Sequence, residues 1–208
     1  MAILIPPEKL LALYAEGLFP MADGKGRIRL YSPDPRGILP LDRFKIPRGA
    51  RREVADPAWD FRVDSAFEHV ISACADRAET WIDPVIARSY LALHRAGRAH
   101  SVEVWRDGRL AGGLYGVRIG GAFFGESMFH HLPGASKAAL AWLATLLRAG
   151  GFVLLDTQWT TPHLALFGGV EIPRADYLGL LAGALRLPGT PGLAALARKF
   201  PRPSPGQP

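Results

Sequence analysis

Two glycine-containing turns in the middle of the chain constrain its fold more than any other feature. Asp107-Gly108 is a strong hairpin signal, and Gly120-Gly121 marks a second turn one strand length later. The segments around them, at 101–106, 110–119 and 122–129, are apolar or alternate as β-strands do. The sequence therefore predicts three consecutive antiparallel strands.

A helix and a further strand follow these three strands. The apolar pattern predicts a helix over 136–149 and a buried strand over 152–155. With the elements on either side, the order reads β-α-α-β-β-β-α-β-α, which favours an α/β (α+β) fold with a mixed sheet flanked by helices. This order resembles the GNAT-like layout of acyl-CoA N-acyltransferases.

The chain divides into three parts by composition. Residues 1–36 are predicted to form a small N-terminal domain, because the two prolines of the segment 32–37 stiffen the turn that ends it. By the resemblance of this layout to N-acyltransferases, residues 37–187 are predicted to form a GNAT-like transferase domain. Residues 188–208 are rich in Pro and Gly, so a loosely held C-terminal tail is expected.

Composition excludes several classes of protein. The 208 residues are 49% hydrophobic, which is enough for a globular core, and the single cysteine, Cys74, excludes an internal disulfide and a cysteine-rich metal site. No apolar run approaches ~18 residues, and no basic region precedes the first apolar residues. We therefore predict a soluble cytoplasmic protein without a membrane span, signal peptide or metal.

Two carboxylates stand inside otherwise apolar strands. Asp156 follows the buried run Phe152-Val153-Leu154-Leu155, and strand alternation places it on the same face as Gln158. Glu126 interrupts the strand that begins after Gly121. One such acid is often structural, and Asp156 can equally cap the next element. Two acids in neighbouring strands favour a pocket lined by carboxylates.

Basic residues concentrate in one segment. Between Lys25 and Arg52 there are nine basic and two acidic residues, a surplus of seven in a chain of net charge +6. Such a cluster is typical of a phosphate-backbone contact, or of a solvated surface that keeps the protein soluble. Within it, Arg48, Arg51 and Arg52 lie on a short predicted helix.

Sequence blocks along residues 10–185 resemble the leucyl/phenylalanyl-tRNA–protein transferase family. The blocks include Gly17-Leu18-Phe19-Pro20-Met21, Tyr31-Ser32-Pro33-Asp34-Pro35-Arg36, Thr80-Trp81-Ile82, Phe124-Gly125-Glu126-Ser127-Met128-Phe129, Leu155-Asp156-Thr157-Gln158 and Glu171-Ile172-Pro173-Arg174. Many members of the family carry Trp where Met21 and Tyr31 stand here.

The resemblance implies a reaction and its partners. Leu, Phe or, less efficiently, Met would move from aminoacyl-tRNA to an acceptor protein with N-terminal Arg or Lys, marking it for degradation by the N-end rule. No cofactor and no metal are implied. Asp156 would hold the acceptor amine and, directly or through Gln158, help it lose a proton. Glu126 would pair with the acceptor's cationic side chain or amine, or order the pocket wall.

The resemblance also implies sites for the two parts of the donor. An apolar cavity without hydroxyl groups would hold the donor side chain; its predicted residues are Leu114, Met128, Leu140, Leu143, Leu147 and Leu155. An ordinary core is the alternative for this leucine stripe. Trp81 and Tyr31 would stack on the terminal adenosine or on a peptide, and Arg48, Arg51 and Arg52 would contact tRNA phosphates.

Three other functions are weighed against this one. The same donor chemistry could serve acceptors that begin with Asp or Glu. A CoA-dependent N-acetyltransferase would share the fold, but the nearest pyrophosphate-loop candidate, at 109–114, lies inside a hairpin. A non-enzymatic tRNA-binding module would not need Glu126 and Asp156 in one pocket.

Overall fold

The strands predicted around Asp107-Gly108 and Gly120-Gly121 form an antiparallel meander at the centre of the protein. The structure is a computed structural model, and it describes residues 3–187 and 191–203. The strands in these residues are β1 (Phe19–Ala22), β2 (Ile28–Tyr31), β3 (Arg36–Ile38), β4 (Asp60–Val63), β5 (Ala99–Arg106), β6 (Arg109–Ile119), β7 (Ala122–His130), β8 (Leu154–Gln158) and β9 (Val170–Ile172).

Helices pack on both faces of the central sheet. They are α1 (Pro7–Ala15), α2 (Arg51–Val54), α3 (Phe67–Ala75), α4 (Pro84–Arg95), α5 (Ala135–Ala149), α6 (Pro162–Leu166), α7 (Arg174–Leu185) and α8 (Leu193–Lys199). One apolar core lies between the sheet and α5, and the other lies between the sheet and α1, α3, α4 and α7. The predicted α/β fold with a mixed sheet between helices is confirmed.

Within the described residues, the central sheet has seven strands in the order β4-β5-β6-β7-β8-β3-β9. Every neighbouring pair is antiparallel except β7 and β8, which are parallel. Their pairing joins Ala122–Phe124 to Leu154–Asp156 and stops there, although β7 continues to His130. Beyond Phe124 the two strands separate, and this opening positions the candidate site.

Two of the predicted helix starts are confirmed by their caps. The carboxylate of Asp83 accepts the N–H of Ile86 at the start of α4, and the hydroxyl of Thr161 accepts the N–H of Leu164 at the start of α6. A proline follows each cap, where its missing N–H costs nothing. The cap of α6 matters for function because it fixes the chain just after β8.

The N-terminal region is tied to the rest of the protein. β1 and β2 form a separate two-stranded sheet, while α1 buries Leu10 and Tyr14 completely in the core that also contains α4 and α7. The predicted boundary at residue 36 falls on the first residue of β3, which belongs to the central sheet. The division into domains stays a prediction.

The expected loosely held tail is wrong for residues 191–203. Within them, α8 buries Leu193 and Leu196 against α5, and the indole N–H of Trp142 donates to the carbonyl of Phe200 at 2.7 Å. The segment is ordered despite the surrounding Pro and Gly, because its apolar residues lie on one face of a helix and are buried against the core. Residues 188–190 and 204–208 lie outside the described residues.

Candidate active site

The separation of β7 and β8 opens a cavity of about 370 Å³ that reaches both faces of the sheet. Residues of both cores line it, so apolar side chains meet the polar ends of β7 and β8 in one space. Its volume is within the range of small-molecule sites. A strand pair that parts in this way brings Glu126 and Gln158 to the wall of the cavity.

The apolar wall contains most of the predicted donor-pocket residues. Those that line the cavity are Leu114, Met128, Leu140, Leu143 and Leu155. Leu147 does not line it and is fully buried in the core beyond. The structure therefore places Leu147 away from the cavity wall, because two helical turns past Leu140 the helix has left the opening between the strands.

Asp156 does not line the cavity and is completely buried. Its Oδ1 accepts from Arg36 Nε at 3.0 Å and from the backbone N–H of Gln158 at 2.9 Å. Its Oδ2 accepts from Arg36 Nη2 at 2.6 Å and from the Tyr177 hydroxyl at 2.7 Å. A carboxylate has about four acceptor positions, and four donors occupy them here. Direct contact between Asp156 and an acceptor amine, one of the two predicted routes, is therefore not available in this arrangement.

Arg36 is the residue that sequence reasoning placed elsewhere. It counted among the nine basic residues of the surface segment, yet its side chain is fully buried and also donates to the carbonyl of Gly17 at 2.8 Å. Burial lowers the pKa of Arg36, but hydrogen bonds and attraction to Asp156 outweigh it and raise the pKa overall. The same surroundings raise the pKa of Tyr177, chiefly through burial. The sequence sets Arg36 apart from the other basic residues because it ends the block 31–36 that carries part of the family resemblance.

Gln158 connects the two carboxylates. Its backbone N–H binds Asp156, and its side-chain Nε2 donates to Glu126 Oε1 at 3.1 Å. The residue has φ 59°, a left-handed conformation that is uncommon outside glycine and is often found at functional positions. The strand predicted over 152–155 in fact runs over Leu154–Gln158, so the amide stands at its end.

Glu126 keeps one acceptor position open. Its Oε1 accepts from Tyr14 at 2.7 Å and from Gln158, and its Oε2 accepts from Tyr90 at 2.8 Å. The Tyr14 and Tyr90 hydroxyls also bond each other, so at most three donors among the described residues reach about four acceptor positions, and one on Oε2 stays open for a ligand. Burial raises the pKa of Glu126 to about 7; the two tyrosine hydrogen bonds and Arg36 oppose this rise, and the charge of Asp156 adds to it. Sequence reasoning missed Tyr14 and Tyr90, which lie far away in the chain.

The two aromatic residues predicted to stack occupy different places. Trp81 lines the cavity, as does Met21. Tyr31 does not line it and instead faces a neighbouring groove, with its ring centroid 6.4 Å from that of Trp159. The structure therefore separates Tyr31 from Trp81, because β2 lies one strand farther from the cavity than β1 does.

Polar groups also occur on the cavity wall, contrary to the expectation of a cavity without hydroxyls. Tyr115, Thr157 and His163 line it, and their Oη, Oγ1 and Nε2 atoms are buried without hydrogen-bond partners among the described residues. Burial, and then the charges of Lys137 and His130, lower the pKa of His163. An imidazole with a lowered pKa is neutral at physiological pH.

The predicted phosphate contacts lie on the protein surface. Arg48, Arg51 and Arg52 are exposed, and no ion pair joins them to any of the described residues. In contrast, Arg27 and Arg29 pair with Asp23, and Arg36 is internal. The basic side chains of the segment that are open to a polyanion are therefore fewer than nine, and three of them lie in or next to α2.

The described residues contain no cluster of three or more His, Cys, Asp or Glu side chains that could hold a metal ion. Over the same residues, none of the helices has the length and apolar character needed to cross a membrane.

Residues 38–182 match the family model described as leucyl/phenylalanyl-tRNA protein transferase, and residues 5–34 match the model of its N-terminal domain. A protein named leucyl/phenylalanyl-tRNA–protein transferase from Salinibacter ruber is 53% identical over 182 residues, 87% of this chain and 80% of that protein. A protein of the same name from Rubrobacter xylanophilus is 52% identical over 184 residues, 88% of this chain and 96% of that protein.

Two solved structures align with most of the chain. A GCN5-related N-acetyltransferase from Kribbella flavida is 12% identical with a TM-score of 0.43, over 79% of this chain and 59% of that chain. L-PGS from Bacillus licheniformis is 14% identical with a TM-score of 0.43, over 80% of this chain and 57% of that chain. The protein spans less than two thirds of either of these chains.

Proposed function

Because the chain belongs to the leucyl/phenylalanyl-tRNA protein transferase family, we propose that it moves Leu, Phe or, less efficiently, Met from aminoacyl-tRNA to the N-terminal Arg or Lys of acceptor proteins. The curated relatives carry the name of a transferase, and the chain is an enzyme of that class, a tRNA-dependent aminoacyltransferase. The product is a new peptide bond, which marks the acceptor for degradation by the N-end rule in the cytoplasm.

The reaction needs little help from the protein. The donor is an ester that its synthetase has already activated, and the nucleophile is an α-amine whose ordinary pKa is about 8, so part of it is neutral at pH 7. The enzyme must bring amine and ester together, remove one proton and stabilise the developing oxyanion. Neither a covalent intermediate nor a cofactor is required.

The single observation that carries the proposal is that hydrogen-bond donors occupy all the acceptor positions of one carboxylate but not of the other. Asp156 has all its acceptor positions occupied, whereas Glu126 keeps one on Oε2. The acceptor amine therefore binds at Glu126, beside the side-chain oxygen of Gln158, which accepts no hydrogen bond within the described residues. With a pKa of about 7, Glu126 is able to take the proton that the amine loses. Asp156 acts through Gln158 as a positioning residue.

The donor lies on the other side of the cavity. Its apolar side chain packs against Leu114, Met128, Leu140, Leu143 and Leu155. An apolar wall of this kind accepts Leu, Phe and Met but discriminates weakly among them. One methylene changes the binding free energy by only about 1–3 kcal/mol. Trp81 stacks on the terminal adenosine, and Arg48, Arg51 and Arg52 hold the tRNA phosphates.

A product assay tests the proposal. The purified protein is incubated with Phe-tRNA or Leu-tRNA and a peptide that begins with Arg or Lys, and the peptide is then weighed by mass spectrometry. We expect the gain of one Phe or Leu residue at the N-terminus. Transfer to a peptide that begins with Asp or Glu instead would indicate the switched acceptor preference. Modification only with acetyl-CoA would overturn the proposal in favour of acetyl transfer.

A further inference from the structure

A second depression of about 300 Å³ adjoins the candidate active site. Its lining residues are Tyr31, Ser32, Pro33, Asp34, Trp159 and Glu171, together with Pro35. Trp159 lines both this depression, here called the Trp159 groove, and the main cavity. The groove therefore begins one residue after Gln158, beside the point where the acceptor amine is proposed to bind.

The indole of Trp159 is held in place and still exposed. A Cβ atom on Gly37 would lie 2.4 Å from the carbonyl carbon of Trp159, so only glycine lets β3 approach this backbone. Phe19 and the indole pack in a T-shaped arrangement with ring centroids 5.3 Å apart. Even so, 42% of Trp159 is exposed. A rigid exposed aromatic side chain is a low-entropy contact surface for a polypeptide.

The charges of the groove select one class of ligand. Asp34 accepts the backbone N–H of Arg174 at 3.1 Å and lies 3.8 Å from its guanidinium, so it is partly neutralised. Glu171 is exposed and forms no ion pair within the described residues. An RNA backbone would be repelled here, while a neutral or basic peptide would not.

We propose that the Trp159 groove binds the second and third residues of the acceptor polypeptide and favours basic or neutral residues over acidic ones at these positions. The inference rests on the proposed function, since it needs the acceptor amine at Glu126 and Gln158. An extended chain advances about 3.3–3.6 Å per residue, so the second and third residues reach past Trp159 into the groove. Glu171 is the group that distinguishes their charge.

The test uses three peptides that share an N-terminal Arg. The next two residues are Lys-Lys, Ala-Ala or Glu-Glu, and kcat/KM is measured for each with saturating Phe-tRNA at low salt. In the unmodified protein we expect the Lys-Lys peptide to exceed the Glu-Glu peptide by about two- to fivefold per ion pair. The Glu171→Gln change should reduce this ratio toward one, and Glu171→Lys should invert it. The difference should appear in KM rather than in kcat.

The matched control is Glu68→Gln, which removes an exposed carboxylate at the start of α3, outside the groove. It should leave the ratio among the three peptides as it is in the unmodified protein. Equal kcat/KM for the three peptides, or a ratio that Glu171→Lys does not move, would overturn this inference but not the proposed function. Absence of transfer to every Arg peptide would instead overturn the proposed function. If the Glu171 variants changed KM for the tRNA but not for the peptides, the groove would be a contact surface for the tRNA and the inference would be wrong.

Discussion

Arg36 and Asp156, 120 residues apart in the chain, form a two-pronged ion pair in which neither side chain is exposed. The pair joins β3 to β8, which are neighbours in the central sheet. It also aligns Asp156 with the backbone N–H of Gln158. The pair therefore links the stability of the β3–β8 pairing to the position of a residue on the cavity wall.

Asp156→Asn should reduce both stability and transfer. The change leaves the Arg36 charge buried without its partner, which costs about 3–5 kcal/mol. We expect a lower urea midpoint and a lower kcat with the Arg peptide. The matched variant Tyr177→Phe removes a hydroxyl that donates to Asp156 and accepts from Arg36 but removes no charge, and should cost less, about 1–3 kcal/mol. Full transfer rate and unchanged KM for the acceptor in Asp156→Asn would disprove the positioning role.

Gln158→Asn should separate catalysis from folding. Asn tolerates the left-handed backbone at this position, but its side chain is one methylene shorter and loses the contact with Glu126. We expect kcat to fall by about 100-fold, because misplacement by about 1 Å costs that much in an oriented reaction. The urea midpoint should change little. A rate within twofold of the unmodified protein would remove Gln158 from the mechanism.

Glu126 should make the protein less stable as pH rises from about 4.5 to 7. Its folded pKa of about 7 exceeds the ordinary value of 4.5, so its contribution is complete below the unfolded pKa and is lost as pH rises through the folded pKa. The difference amounts to ~3 kcal/mol. Urea unfolding at pH 4.5, 6 and 7.5 measures it against Glu126→Gln, which cannot titrate. Parallel curves for the two proteins would contradict the raised pKa.

Leu143→Ala and Leu147→Ala should differ in donor choice. Both leucines are buried on α5, and each truncation should cost about 2–5 kcal/mol by urea unfolding. Only Leu143 lines the cavity, so only Leu143→Ala should change the ratio of Phe to Leu transfer, in favour of the larger Phe. Equal ratios in both variants would show that the leucine stripe is plain core.

Changing Arg51 and Arg52 together to Gln should weaken the salt dependence of tRNA binding. Each lost phosphate contact should reduce the slope of log KM against log salt by about one. Arg27→Gln is the control, because Arg27 pairs with Asp23 rather than standing free. A slope that stays the same in the double variant would place the tRNA contact on another surface.

The sequence by itself determined the features that depend on nearby residues. Hairpin turns at Asp107-Gly108 and Gly120-Gly121, helix caps at Asp83 and Thr161, and two carboxylates within apolar strands were all predictable. Each follows from backbone preference or from the cost of burying charge, and both act over a few residues. These features were enough to predict the α/β fold and to select Glu126 and Gln158, which the structure places on the cavity wall.

Only the tertiary structure decided which of these groups can meet a ligand. Arg36 and Asp156 satisfy each other across the sheet, whereas Tyr14 and Tyr90 leave one position of Glu126 open. These partners come from distant parts of the chain, so no local pattern predicts how many donors each carboxylate receives. Likewise, Leu143 and Leu147 have the same helical pattern. Whether a leucine lines the cavity depends on where β7 and β8 stop pairing, because an opening in a sheet is a property of two strands together.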